Sequence, residues 1–172
     1  MPYTLHSEII EHNGQVYRVD IEHDEFAEAP WDNCDGHGDV SDWTHRDKAP
    51  GELVLCADRG AKQFYDFAAA CKTALRDGWN MAKTRKEAAA AAMQDYEYLR
   101  AWCENDWVYA VVVVTEQRTD ADGYKYDGPS ACLGGVEFWT SYDLDNARNE
   151  YIRGDVVQEL LAEVASMHSV AA

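Results

Sequence analysis

The stretch NDWVYAVVVVTEQRT, residues 105–119, decides the fold of this chain. Its middle, from Trp107 to Thr115, is nearly all β-branched or aromatic. Such side chains suit a pleated strand, and the run is far too short to cross a bilayer as a helix. Apolar residues on both faces point to a strand covered on both sides. It is expected to be the central strand, with the helices packed on it.

Working outward, residues 3–11 and 15–22 read as a hairpin. Tyr3, Leu5 and Ile9 are interleaved with polar residues, and Tyr17, Val19 and Ile21 alternate with Arg18 and Asp20. Asn13-Gly14 between them readily takes the positive φ angles of a type I′ turn. Glu52–Cys56 is a short apolar strand, and Gln63–Tyr65 returns from a turn at Asp58-Arg59-Gly60. Asp66 is placed to cap a helix through Asp77, and Gly78 to end it. Thr84-x-x-Glu87 is a capping box ahead of an alanine run. That helix should reach Glu104, with Ala89, Met93, Tyr96, Leu99 and Cys103 on one face and Lys86, Asp95, Glu97 and Arg100 in water. After the central strand, Asp122-Gly123 marks a turn and Tyr124–Tyr126 a brief extension of the ladder. CLGGVEF, residues 132–138, reads as a strand with Gly134-Gly135 as a bulge or point of close approach. A last helix is expected over 145–168, its stripe formed by Ile152, Val156, Val157, Leu160, Leu161 and Val164. The order predicts an α+β fold: a mainly antiparallel sheet with three helices packed against it, a single domain over 1–172.

The chain has 172 residues and a net charge of −17. Residues 1–60 carry −10, residues 61–100 carry +2 and residues 101–172 carry −9. So acidic a surface repels nucleic acid and anionic membranes and attracts basic proteins; direct binding to either of the first two is not expected. Cys34, Cys56, Cys71, Cys103 and Cys132 form no CxxC pair and are odd in number. They read as free, mostly buried thiols in a reducing cytoplasm. The N-terminus lacks the basic and apolar regions of a signal peptide, and no segment has the length of a transmembrane helix. A cytoplasmic location in a host cell is the expectation.

The long segment 24–51 has no clear period but holds two tryptophans and many acidic residues. Loops of this length are usually functional. Trp31 and Trp43, with Asp32, Asp35, Asp39 and Asp42, form a candidate partner-binding surface. Aromatic anchors concentrate binding energy, and the carboxylates would select a basic partner and hasten encounter. The plainer alternative is an ordered loop whose tryptophans cover a sheet edge and whose aspartates form Asx-turns.

Other chemistry in this segment is less specific. Asn33, Asp35, His37 and Asp39 alternate as in a calcium loop, with Gly38 sixth, but the twelfth position is Thr44 rather than a bidentate glutamate. His37, His45, Cys34 and an aspartate could hold a transition metal, yet their spacing matches no zinc pattern. No catalytic residue, metal or cofactor is assigned. Five of six histidines precede Arg46, but in so acidic a chain every histidine lies near some carboxylate, and acid–base chemistry gains little from that. Asp120-x-Asp122-Gly123 reads as a hairpin turn, and Lys83, Arg85 and Lys86 as cations paired with the protein's own acidic surface. No GxGxxG unit, P-loop, GxSxG, HExxH or zinc-deaminase pattern is present.

FYDFAAA (64–70), Gly78-Trp79, DYEYLRAWC (95–103), Trp107 with the valine run, and LGGVE (133–137) together form a pattern. It resembles a group of small acidic proteins encoded by phages and prophages, over about residues 50–165. The resemblance implies an accessory protein of a mobile element and transfers no catalytic residue. The expected function is non-enzymatic: an acidic binding protein, in the manner of a DNA mimic, that occupies a basic nucleic-acid-binding surface of a host defence or regulatory protein. Restriction enzymes and CRISPR effectors own such surfaces, shaped for a duplex with a charge every ~1.7 Å. The residues named for this face are 24–47 and 116–155. The alternatives are a metal-assisted hydrolase using His37 and His45, and a virion structural or assembly protein.

Overall fold

A computed structural model describes residues 3–33 and 36–170. It is α+β with antiparallel sheets, as the element order requires, and its chain divides into two compact units, 1–27 with 107–172, and 28–106.

The first unit is a four-stranded antiparallel sheet. Its strands are β1 (Thr4–His12), β2 (Gln15–His23), β5 (Trp107–Thr119) and β6 (Lys125–Trp139), in that spatial order. Asn13 and Gly14 both take positive φ, 52° and 75°, so the β1–β2 turn has the handedness that matches strand twist. The valine run is interior to the sheet, between β2 and β6. Ala110, Val112 and Val114 face one core with Val19 and Ile21 of β2, Phe138 of β6 and the last helix. On the opposite face Trp107, Tyr109 and Thr115 are buried but Val111 and Val113 only partly. Cover on that second face is therefore partial.

Helix α4 (Val157–Val170) is the helix that packs on this sheet within the unit. All six residues of its expected stripe are buried. The helical run starts later than expected, at Glu150, and passes through a π segment, Ile152–Val156, that contains Gly154. Asn149 accounts for the late start. Its buried amide accepts from Trp139 N (2.9 Å) and donates to the carbonyls of Trp139 (3.0 Å), Tyr142 (2.9 Å) and Asp143 (3.2 Å). Those bonds close the turn after β6 and hold residues 140–149 out of the helix. The Gly134-Gly135 pair forms the expected bulge: the β5–β6 register slips between Ala110 and Val112, and Asp24 accepts from Gly135 N at 3.1 Å. β6 is continuous through Pro129, which an edge strand tolerates.

The second unit holds β3 (Glu52–Asp58) and β4 (Ala61–Asp66), a hairpin that, among the described residues, pairs with itself and with short bridges from the preceding loop. Helices α2 (Phe67–Asp77) and α3 (Arg85–Cys103) pack on each other and on β3. The expectation of all helices on one central strand is corrected accordingly. Two sheets exist because β3 and β4 hydrogen-bond to each other rather than to the valine strand. Both caps form as the residues dictate. Asp66 accepts from Ala69 N at 2.9 Å, Gly78 closes α2 in the left-handed region, and Thr84 and Glu87 cap α3 reciprocally.

The segment 24–51 is ordered where described. It forms the short helix α1 (Pro30–Asn33), then runs beside β4. Thr44 and Lys62 exchange backbone bonds at 2.9 and 2.8 Å, and Ser41 N donates to Phe64 O at 2.9 Å. Cys56 and Cys103 form a disulfide between β3 and the last turn of α3, 47 residues apart in sequence. This corrects the reading of free thiols and removes the thiol argument for a reducing compartment. Sequence spacing carries no sign of it, because only the packing of α3 on β3 brings the two together. Cys71 is half-buried and Cys132 exposed, the latter also against expectation. No helix among the described residues is long and apolar enough to cross a membrane.

Candidate functional site

Trp31, Asp32, Asp42 and Trp43 line one cleft of about 960 Å³ in the second unit. Helix α1 supplies the first pair, the ribbon beside β4 the second, β3 one wall and the end of α3 the other. Trp31 packs edge-to-face on Trp102, with ring centres 5.2 Å apart. Tyr96 anchors α3 to β3 through its hydroxyl, which donates to Val54 O at 2.8 Å. The disulfide Cys56–Cys103 lies in the wall. Trp43 remains 51% exposed, so a large apolar surface faces solvent there. Asp58 and Glu104 add carboxylates to the rim, and Arg100, the one lining cation among the described residues, is held by Glu104 at 2.8 Å. The lining is thus both aromatic and acidic.

The other two candidate residues are not part of it. Asp39 is exposed and its carbonyl accepts from Asp66 N at 2.9 Å, which fastens the ribbon to the start of α2. Asp35 and Cys34 lie outside the described residues.

A second constellation escaped the sequence reading. Asp95, expected in water, has a side chain only 11% exposed and is a hub. One carboxylate oxygen is 2.6 Å from His37 Nδ1; the other accepts from Gly38 N at 2.9 Å and from the Tyr65 hydroxyl at 2.7 Å. Burial, and then the bond to Asp95, push the Tyr65 hydroxyl well above its ordinary pKa. The His37 ring lies nearly parallel to Tyr98, with centres 5.8 Å apart. Gly38 is required here, since a Cβ would sit 2.6 Å from the Tyr65 ring. One signal was available in the sequence. The buried face of α3 is Ala88, Ala91, Ala92 and Leu99, and Asp95 falls on that row at helical spacing. The larger residues Met93 and Tyr96 lie about one position out of that row and suggest a different phase.

His45 has a different partner, the Gly60 carbonyl at 3.3 Å. No group of three or more His, Cys, Asp or Glu among the described residues is arranged to hold a metal ion. Asp120 forms the expected turn, accepting from Asp122 N and Tyr124 N at 2.9 Å. Lys83, Arg85 and Lys86 are exposed and make no ion pair with another described residue. The reading of these cations as paired is corrected: the capping box points Glu87 at backbone N–H groups and away from them.

No family model, curated protein or solved structure matches this chain.

Proposed function

We propose that this is a non-enzymatic acidic binding protein whose second unit grips a basic, nucleic-acid-binding surface of a partner protein. The observation that carries the reading is the convergence of Trp31, Asp32, Asp42 and Trp43 on one cleft with no unpaired cation in its lining. An arginine or lysine entering it meets aromatic faces, which attract cations, and carboxylates, which pair with them. The charge of the rest of the chain acts at longer range. The first unit carries 17 acidic and 5 basic residues. Three of its arginines are already held by carboxylates: Arg18 by Asp20 and Asp127, Arg118 by Glu116, and Arg153 by Glu8 and Asp145. On the helical run, Asp155, Glu159 and Glu163 follow at four-residue spacing and are exposed. Such like-charged neighbours, ~5–6 Å apart, weaken a helix, and their row is what a phosphate-binding cleft would accept in place of nucleic acid. The resemblance of the sequence to phage-encoded acidic proteins extends the proposal to a host defence or regulatory protein as target.

The test is capture of partners from bacterial lysate at low and high salt, with added duplex DNA as competitor. A nucleic-acid-binding protein retained at low salt, displaced by DNA, and lost from the Trp31→Ala/Trp43→Ala variant supports the proposal. Retention of nothing at low salt, or of proteins that DNA fails to displace, overturns it.

A second reading, acid–base hydrolysis, is favoured by the His37–Asp95 pair alone. A carboxylate bonded to one imidazole nitrogen fixes the ring and its tautomer, as in catalytic dyads. It requires that His37→Gln abolish a hydrolytic activity while leaving partner capture intact.

A further inference from the structure

The valine strand ends in a buried charge. Register between β2 and β5 is unbroken from His23↔Ala110 to Val16↔Gln117. By two-residue alternation Glu116 and Arg118 therefore continue the core-facing row of Ala110, Val112 and Val114. Glu116 is 4% exposed and pairs with Arg118 at 2.9 Å. A carboxylate taken out of water costs several kcal/mol, and a buried ion pair is often no more stable than apolar residues in its place. The surroundings are nonetheless shaped for it. A Cβ on Gly128 would lie 3.0 Å from both the Glu116 carboxylate and Arg118 Nε, so β6 leaves room for the pair.

This pair opens on a cavity of about 690 Å³ within the first unit, a volume typical of small-molecule sites. Tyr17, directly opposite Glu116 in the ladder, lines it, as do His12 and Gln158. Tyr17 is 4% exposed and its hydroxyl makes no hydrogen bond to another described residue. That hydroxyl borders the cavity and is accessible from it, so it is free to donate to a bound molecule. Burial, followed by the Glu116 charge, raises its pKa, which keeps it a donor. The opposite wall is apolar and small: Leu161, Ala162 and Ala165 of α4.

The lining selects by charge. Glu116 and Arg118 already neutralise each other, so an anion is repelled by the first and a cation by the second. A neutral molecule rich in groups that both donate and accept suits the unpaired hydroxyl, the amide and the outer edges of the ion pair. Its C–H faces suit the Tyr17 ring and the alanines. We infer that this cavity is a binding site for a neutral, hydroxyl-rich small molecule of the saccharide class, with Glu116, Arg118 and Tyr17 as its polar contacts. The site is separate from the acidic cleft and does not depend on the function proposed there.

The test is saturation-transfer NMR on the full chain with D-glucose, D-galactose and maltose, and with adenosine in parallel. Transfer to at least one saccharide is expected. It should weaken tenfold or more in Glu116→Gln, and equally in Ala162→Leu/Ala165→Leu, which fills the cavity from exposed helix positions without touching the ion pair. Circular dichroism should show both variants folded. Transfer to none of the saccharides overturns the inference, as does transfer to adenosine alone or saccharide signal that survives in the filled variant.

Discussion

The two units are held together by different means. In the first, four strands and a helix share one continuous core, in which Val19, Ile21, Ala110, Val112, Val114, Ile152, Leu161 and Val164 are buried. In the second, the helices meet largely through alanines, and specific bonds do much of the fastening: the Cys56–Cys103 disulfide, the Asp95 hub, and Arg46 with Glu52. Bulk apolar burial tolerates the loss of any one polar contact. A structure fastened at discrete points does not, and that distinction can be attacked directly.

The largest effect is expected in the first unit. Ile152→Ala removes a fully buried side chain and should cost about 2–5 kcal/mol. Hydrogen exchange read by mass spectrometry should show the loss across the four strands, because their core is shared. Loss confined to the neighbourhood of residue 152 would break the picture of one core.

Reduction of the disulfide should cost about 2–4 kcal/mol, since it releases a closed loop in the unfolded chain. Here the faster exchange should fall on β3 and α3 and spare the four-stranded sheet. Urea unfolding with and without dithiothreitol gives the magnitude. Equal loss in both units would show that the bond does not act locally.

Asp95→Ala leaves Gly38 N–H and His37 without their carboxylate partner and the Tyr65 hydroxyl with only its longer contact to the Ala92 carbonyl at 3.2 Å, at about 2–3 kcal/mol in all. Asp95→Asn keeps the size of the side chain and one carbonyl oxygen, and should recover part of the loss. An Asn variant as damaged as the Ala variant would mean that the charge, not the hydrogen bonding, is what the hub supplies.

The smallest effect concerns acid. The bond from Arg46, then that from Ala49 N, lowers the Glu52 carboxyl from its ordinary 4.5 to about 2. A lowered folded pKa stabilises above the unfolded value and is lost as pH falls. The contribution should thus be complete above pH 4.5 and disappear towards pH 2. Melting temperature measured across that window should fall less steeply in Glu52→Gln. Because the pair is on the surface, added salt should flatten the wild-type curve as well. An unchanged slope in the variant would remove Glu52 from the list of fastenings.

Local features were legible in the sequence and distant ones were not. Asn13-Gly14, the Thr84–Glu87 box, Gly78 and the stripe from Ile152 to Val164 each act within a few residues, and each is present as read. The disulfide, the separate β3–β4 hairpin and the ribbon beside β4 arise from pairings far apart in the chain, for which composition and period carry no information. Of the candidate site, Trp31, Asp32, Asp42 and Trp43 could be named because a tryptophan in an acidic loop stands out by type. Trp102 sits on a helix, and Asp58, which reads as the start of a turn, ends β3; neither stands out by type. Asp95 is the instructive case: phasing α3 on its largest side chains puts Asp95 in water, whereas the helix buries three alanines along with Leu99.

That last property reaches beyond stability. Ala88, Ala91 and Ala92 of α3 share buried clusters with Ala70 and Ala74 of α2. Methyl groups at such a seam let two backbones approach closely and leave no slack for a longer side chain. By propensity this is the segment where almost any helix-forming residue would serve. By volume it is where almost none will. Sequence drift in this protein should accordingly be slowest along an alanine run that would ordinarily be dismissed as filler.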